Sequence, residues 1–144
     1  MKLDFYLSAR RPVERVIGAV AAKALAQGQR MVIVADDPAL LDRLDRALWG
    51  YRPEAFLAHG RAGEPHADRQ PLLLSTGCEA PNGARIVAFA DGIWRDTAEA
   101  FDRALLFFDE AGRETARAVW RTFNAREDVE RNFRDLDAAS EPAA

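Results

Sequence analysis

The stretch RMVIVADDPALLDRLDRALWG, residues 30–50, decides the fold. Residues 30–35 are a near-continuous apolar run, the pattern of a strand buried on both faces. A helix follows. Asp37 is placed to cap it and Pro38 suits its first position. Leu40, Leu41, Leu44, Ala47 and Leu48 then fall on one side at helical spacing, and Gly50 is placed to end it.

The same order precedes this unit. Residues 2–7, KLDFYL, read as a strand. Residues 12–27 read as a helix with Val13, Val16, Ile17, Val20 and Ala24 on its apolar face, stopped by Gly28. Strand, helix, strand, helix argues for a parallel α/β sheet. Further on, residues 51–69 are loop-like, with a short strand expected at 56–58. Residues 72–76 and 85–90 read as strands around a Pro81-Asn82-Gly83 turn. Thr97 is a candidate cap for a short helix through Arg103, and 105–108 reads as a last strand. Gly112 precedes a final helix over residues 113–125; the chain is then nearly all charged. The expectation is one α/β domain over 1–137, a mainly parallel sheet flanked by helices. Its topology is Rossmann-like or P-loop-like without a nucleotide site, and a frayed tail covers 138–144.

Composition narrows the function classes. The 144 residues carry a net charge of −3, whereas a protein that grips nucleic acid over its whole surface is usually basic. Eighteen of the 20 basic residues are arginine, whose planar forked donors suit carboxylates. Cys78 is the only cysteine, so no internal disulfide forms, and a reduced, cytoplasmic setting fits. There is no signal-peptide pattern at the N-terminus, and no segment approaches ~20 consecutive apolar residues.

Nucleotide chemistry lacks its residues. The only lysines, Lys2 and Lys23, stand in no glycine-rich phosphate loop, and SARRPVER follows the first strand where G-x-G-x-x-G would stand. No cofactor is expected. His59, Glu64 and His66 sit in an irregular loop at no metal-ligand spacing, and read as solvated or turn-stabilising groups. Asp36, Asp37 and Asp91 lie just past strand ends, where carboxylates can serve an active-site crevice. They support an alternative reading, a small hydrolase or phosphotransfer receiver. Asp37-Pro38 and Asp91-Gly92 favour capping and turn roles instead.

Two aromatic features stand out. Trp49 projects away from the leucine stripe, on the side of Asp42 and Asp45, and Tyr51 and Phe56 follow it. Such a surface is either built to be covered by a partner, or Trp49 folds back onto its own domain. In the final helix Arg113, Arg117 and Arg121 are four apart and form one stripe, with Trp120 between them and the apolar face of Ala116, Val119 and Phe123. That is either a solvated arginine face or a dock for an acidic peptide with an apolar end. In the second case Val119 or Phe123 would line the slot with Trp120.

LDRALWGYRPEAFLAHGRAGE, residues 44–64, resembles the signature of the chi subunit of the bacterial replicative polymerase, DNA polymerase III. In that family a Leu-Asp-x-Ala-Leu-Trp helix end leads to Phe-x-x-His and then Gly-Glu. Leu44, Asp45, Ala47, Leu48, Trp49, Phe56, His59, Gly63 and Glu64 match it. Phe5-Tyr6, Gln70-Pro71 and the arginine helix agree in order, so the likeness covers most of residues 1–125. It implies a non-catalytic adaptor that reaches DNA only indirectly. The surface of Leu48, Trp49, Tyr51 and Phe56 would receive a psi-type clamp-loader subunit or a repair helicase. Arg113, Arg117, Trp120 and Arg121 would bind the acidic C-terminal tail of single-stranded-DNA-binding protein, which ends in Pro-Phe. The chain departs from the family after the arginine helix, where AREDVERNFRDLD replaces a closing glycine and an aromatic tail. That departure bears on the far wall of any tail pocket, and the added acids could compete for the arginines.

Without a phosphate-binding lysine or glycine loop, the protein is expected to show no saturable ATP binding by calorimetry; a saturable isotherm would contradict this.

Overall fold

The computed structural model describes residues 1–52 and 57–137. Seven strands form one sheet in the order β3-β4-β2-β5-β6-β1-β7, and every pairing is parallel. They are β1 (Lys2–Leu7), β2 (Met31–Val34), β3 (His59–Arg61), β4 (Leu72–Ser75), β5 (Ile86–Phe89), β6 (Arg103–Phe108) and β7 (Glu130–Asp135). The helices are α1 (Val13–Ala26), α2 (Pro38–Gly50) and α3 (Arg113–Thr122).

A parallel sheet is stable only when both faces are covered. α1 and α2 cover one face, where Val16, Ile17, Leu40, Leu41 and Leu44 pack on Met31, Ile33, Leu72 and Leu105. α3 covers the other, with Ala116, Val119 and Phe123 against Leu3, Phe5, Leu106 and Phe108. The connections explain this division. The β1–α1–β2 and β2–α2–β3 crossovers run toward β3, whereas β6–α3–β7 runs toward β7. Crossovers of one hand that run in opposite directions place their helices on opposite faces.

The capping expected for α2 is present: Ala39 N donates to Asp37 Oδ1 at 3.0 Å, with Pro38 as the first helical residue. Gly28 follows α1 with φ +73°, a conformation that favours glycine. Several boundaries differ from the sequence reading. The short strand falls at His59–Arg61, and residues 53–56 lie outside the described set. The segment at Thr97 is a 3₁₀ turn, Asp96–Ala100, with no side-chain cap, and Arg103 already belongs to β6. α3 ends at Thr122, because Phe123 turns into the core and the backbone leaves the helix there.

The larger correction is β7. The charged segment after α3 is a seventh strand, and β6 is not the last. It lies along β1 in register, Phe5 opposite Phe133 and Asp4 opposite Asn132. Both ends are tied. At the start, Glu130 N donates to Met1 O at 2.9 Å, and the Met1 amino group donates to Asp128 O at 2.9 Å. At the far end, the Asp137 carboxylate accepts from Ala9 N at 2.7 Å and from Arg10 N at 3.2 Å. Arg11 Nη2 also donates to Leu136 O at 3.0 Å. Residues 138–144 lie outside the described set.

α1 and the end of α2 meet through Gly18. A Cβ at Gly18 would come within 2.6 Å of the Tyr51 ring. Gly18→Ala is therefore expected to lower stability by ~1–3 kcal/mol through overpacking, read by urea denaturation, despite the better helix propensity of alanine. Unchanged or higher stability would show that Tyr51 can move aside at no cost.

Candidate functional site

Three regions bear on function: the crevice at the strand ends, the Trp49 corner and the outer face of α3.

The crevice lies where β1 leads to one face of the sheet and β6 to the other, the position at which open α/β sheets bind ligands. It encloses about 600 Å³ and is bordered by Ser8–Glu14, Asp37, Arg43, Asp91–Ile93 and Asp109. Ser8, Arg11, Glu14, Asp37, Arg43, Asp91 and Asp109 are engaged within the fold. Ser8 Oγ donates to Arg11 O, Arg43 pairs with Glu14 at 3.2 Å, and Asp109 Oδ1 accepts from Gly112 N at 3.0 Å. Asp37 caps α2. Arg95 bridges Asp36 at 2.7 Å and Asp91 at 2.9 Å, and Asp91 also accepts from Asp36 N and Ile93 N. Burial alone would raise the Asp91 carboxyl, but the bonds from Arg95 and the two amides outweigh it and hold it below the usual carboxylate range. Asp36, Asp37 and Asp91 thus serve an ion pair, a cap and a turn.

At the Trp49 corner the structure separates residues that the sequence grouped. Trp49 is 58% exposed, whereas Leu48 is 1% exposed and belongs to the core with Leu44. One residue is roughly 100° of helix, which turns Leu48 onto the leucine stripe and Trp49 off it. Leu48 is therefore not part of an exposed patch. Tyr51 is half-buried against α1, and Phe56 lies outside the described residues. Trp49 rests on His59, with ring centroids 4.6 Å apart. His59 is buried rather than solvated. Its Nδ1 lies 2.8 Å from Leu57 O and its Nε2 2.7 Å from Asp45 Oδ1, so the ring joins the loop to α2. Arg61 extends this link to Asp42 at 2.7 Å. Glu64 accepts from Arg61 N at 2.9 Å, and His66 stands in a left-handed turn with φ 67°. Among the described residues no group of three or more His, Cys, Asp or Glu is placed to hold a metal.

The outer face of α3 carries an open apolar pocket of about 280 Å³. Phe5, Phe108, Ala116, Trp120 and Phe133 line it, with Arg113 and Arg117 beside them. Phe5 and Trp120 form a tilted ring pair at 5.0 Å, and Phe108 and Phe133 another at 6.5 Å. Arg131 stacks over the Trp120 indole at 4.6 Å and donates to Trp120 O at 2.7 Å, which holds the end of α3 against β7. Val119 and Phe123, expected in the slot, are buried in the core instead, because they lie on the sheet side of α3. Arg121 is exposed but lies outside the pocket lining. Arg113 pairs with Glu110 at 2.6 Å and Arg117 with Glu114 at 2.7 Å, both on the surface. The Arg113 guanidinium holds the Glu110 carboxyl below its usual range. Sequence reasoning missed Phe5, Phe108, Ala116 and Phe133 as pocket residues. Phe133 carried no signal, since β7 shows no apolar alternation.

The description of the DNA polymerase III chi subunit, HolC, matches residues 1–129. The chain belongs to this family. It is similar to DNA polymerase III subunit chi of Escherichia coli K12, 26% identical over 114 residues, which span 77% of this chain and 78% of that protein. It is also similar to DNA polymerase III subunit chi of Pseudomonas aeruginosa, 33% identical over 95 residues, 56% of this chain and 67% of that protein. As a chi-family chain it is a non-catalytic accessory subunit of the DNA polymerase III holoenzyme and acts in DNA replication. Among the described residues no helix is long and apolar enough to cross a membrane. The family match ends at Val129, so β7 lies beyond it.

Trp49→Ala is expected to change the free energy of unfolding by less than ~1 kcal/mol, because over half of the residue is in water. Leu48→Ala, one position earlier, is expected to cost about 2–5 kcal/mol. Parallel denaturation curves of the two variants test this; an equal loss in both would place Trp49 in the core.

Proposed function

We propose that this chain is an adaptor that links the clamp-loader assembly, through a psi-type subunit, to single-stranded-DNA-binding protein at the replication fork. It acts in the cytoplasm and reaches DNA only through that protein. The observation that carries the reading is the aromatic pocket of α3 and β7 with Arg113 and Arg117 at its side. The tail of single-stranded-DNA-binding protein offers aspartates, a terminal carboxylate and a last aromatic side chain, each with a counterpart there.

Magnitudes assign the roles. The arginines already pair with Glu110 and Glu114 in exposed geometry. Such pairs contribute ~0–1 kcal/mol each. An incoming carboxylate that exchanges for one of them gains little, and salt screens that gain. The arginines therefore attract and orient the tail, and burial of the terminal ring supplies most of the affinity.

The opposite corner serves a second partner. Trp49 is an exposed aromatic that rests on the buried His59 ring. Aromatic anchors of this kind commonly carry ~2 kcal/mol or more at an interface. A psi-type subunit or a repair helicase would cover Trp49 together with Phe56; Tyr51 supports the corner from behind. Trp49 stands on α2 and the pocket on the other face of the sheet, so both partners can be held at once.

A labelled acidic peptide ending in Pro-Phe is expected to bind weakly and in a salt-sensitive manner. Arg117→Ala is expected to weaken it by about fivefold, and removal of the terminal Phe by about thirtyfold. Anisotropy titrations at two salt concentrations check both. Equal binding by wild type and Arg117→Ala, or indifference to the terminal residue, would make the helix a solvated face only.

A further inference from the structure

β7 is the outer strand of the sheet and pairs with β1 on one side only. Glu130 N donates to Met1 O, so Glu130, Asn132 and Arg134 turn their backbone groups toward β1. By strand alternation Arg131, Phe133 and Asp135 turn theirs outward. An open row of this kind is a template for a further strand. Charge is a common guard on such edges, and ERNFRD is mostly charged. The order of its charges works the other way.

The three outward-turned residues also carry their side chains on one face, that of α3. Along the strand they are basic, aromatic and acidic. An antiparallel second copy, related by a two-fold axis through Phe133, sets Arg131 opposite Asp135 of the copy and Asp135 opposite Arg131 of the copy. Phe133 then faces its own equivalent, and the ring, 53% exposed in the single chain, gains an apolar neighbour. Opposite charges and aromatic pairs directly across a ladder are both stabilising. Neighbouring registers lose this match. With the axis at Asn132, Arg131 meets Phe133 and Asp135 falls opposite Val129, before the strand begins. With the axis at Arg134, Asp135 meets Phe133 and Arg131 falls opposite Asp137, which is held on Ala9 N and Arg10 N.

We infer that the outer edge of β7 is a self-complementary interface, on which a second copy of this chain pairs antiparallel about Phe133. The two-fold closes the assembly at two copies, whereas a parallel copy would leave an open edge for the next. The side chains have capacity for the new contacts. Arg131 uses Nη1 on Trp120 O and Asn124 Oδ1, and a guanidinium has five N–H donors. Asp135 Oδ1 accepts from Asp137 N, and a carboxylate accepts several bonds. About six backbone hydrogen bonds form across the axis. A single short strand pair covers less than the ~1,200 Å² of a stable interface, so the dimer is weak and reversible. The pairing does not depend on the peptide reading above.

The test uses the full chain. Sedimentation equilibrium from about 10 μM to about 1 mM is expected to show a monomer–dimer equilibrium with a dissociation constant inside that range. Amide hydrogen exchange at the two extremes should show a parity signature. Arg131, Phe133 and Asp135 gain protection at high concentration, whereas Asn132 and Arg134, already bonded to β1, change little. Asp135→Arg sets like charges opposite each other and should weaken the dimer at least tenfold, as should Arg131→Asp. An equimolar mixture of the two variants restores both opposite-charge pairs and should associate within about threefold of wild type, which a merely structural defect would not do. If Arg131→Asp does not fold, Asp135→Arg and the exchange pattern decide. Wild type that stays monomeric throughout the range would overturn the inference. So would a dimer without protection at the three odd-numbered amides, or one that Asp135→Arg leaves unchanged.

Discussion

The structure depends on covering a seven-stranded parallel sheet on both faces with three helices. Six interstrand spacings make the sheet roughly 29 Å wide. α1 and α2 share one face. The other face has α3, ten residues or about 15 Å long, and must use loop aromatics for the rest. Trp94 fills part of it, packed between Phe89 at 5.6 Å and Phe123 at 5.4 Å. Beside α3, toward the β1–β7 edge, the cover runs out. The aromatic pocket is that shortfall, lined by side chains that a longer helix would bury.

On the proposed reading, this arrangement moves function away from the usual place. The switch-point crevice exists, but Arg95 pairs with both Asp36 and Asp91, and Asp37 and Asp109 satisfy backbone amides. Among the described residues these groups serve the fold and do not converge on a ligand in the way that catalysis requires. What remains available to partners lies elsewhere: an exposed tryptophan on α2, and aromatic rings flanked by arginines on α3 and β7. That distribution is what the proposed adaptor reading rests on; the family gives a non-catalytic accessory subunit of DNA polymerase III.

Much of this was legible in the sequence because burial on two faces leaves a strong pattern. Met31–Val34 reads as an unbroken apolar run, and the α2 leucines recur at the helical period. β7 was not legible. ERNFRD is an edge strand with one neighbour and mostly exposed side chains, so selection for burial has left only Phe133 as an apolar mark. Its strand character comes from pairing with β1, a contact between residues about 128 apart that no local window contains. His59 illustrates the same limit: its partner Asp45 lies 14 residues away on α2. The resemblance to the chi family drew both into one motif without showing why. Leu48 was legible as a core leucine from its place in the stripe. Grouping it with Trp49 followed adjacency in sequence where helical rotation separates the two.

The central claim, that partners dock on the faces and not in the strand-end crevice, is tested most directly by amide chemical-shift mapping. The isotope-labelled chain would be titrated with an acidic peptide ending in Pro-Phe. The account predicts that saturable shifts centre on residues 113–120 and on Phe133, with Phe108 at the base. Shifts centred on Ala9, Arg10 and Asp91, with α3 and β7 unmoved, would contradict it.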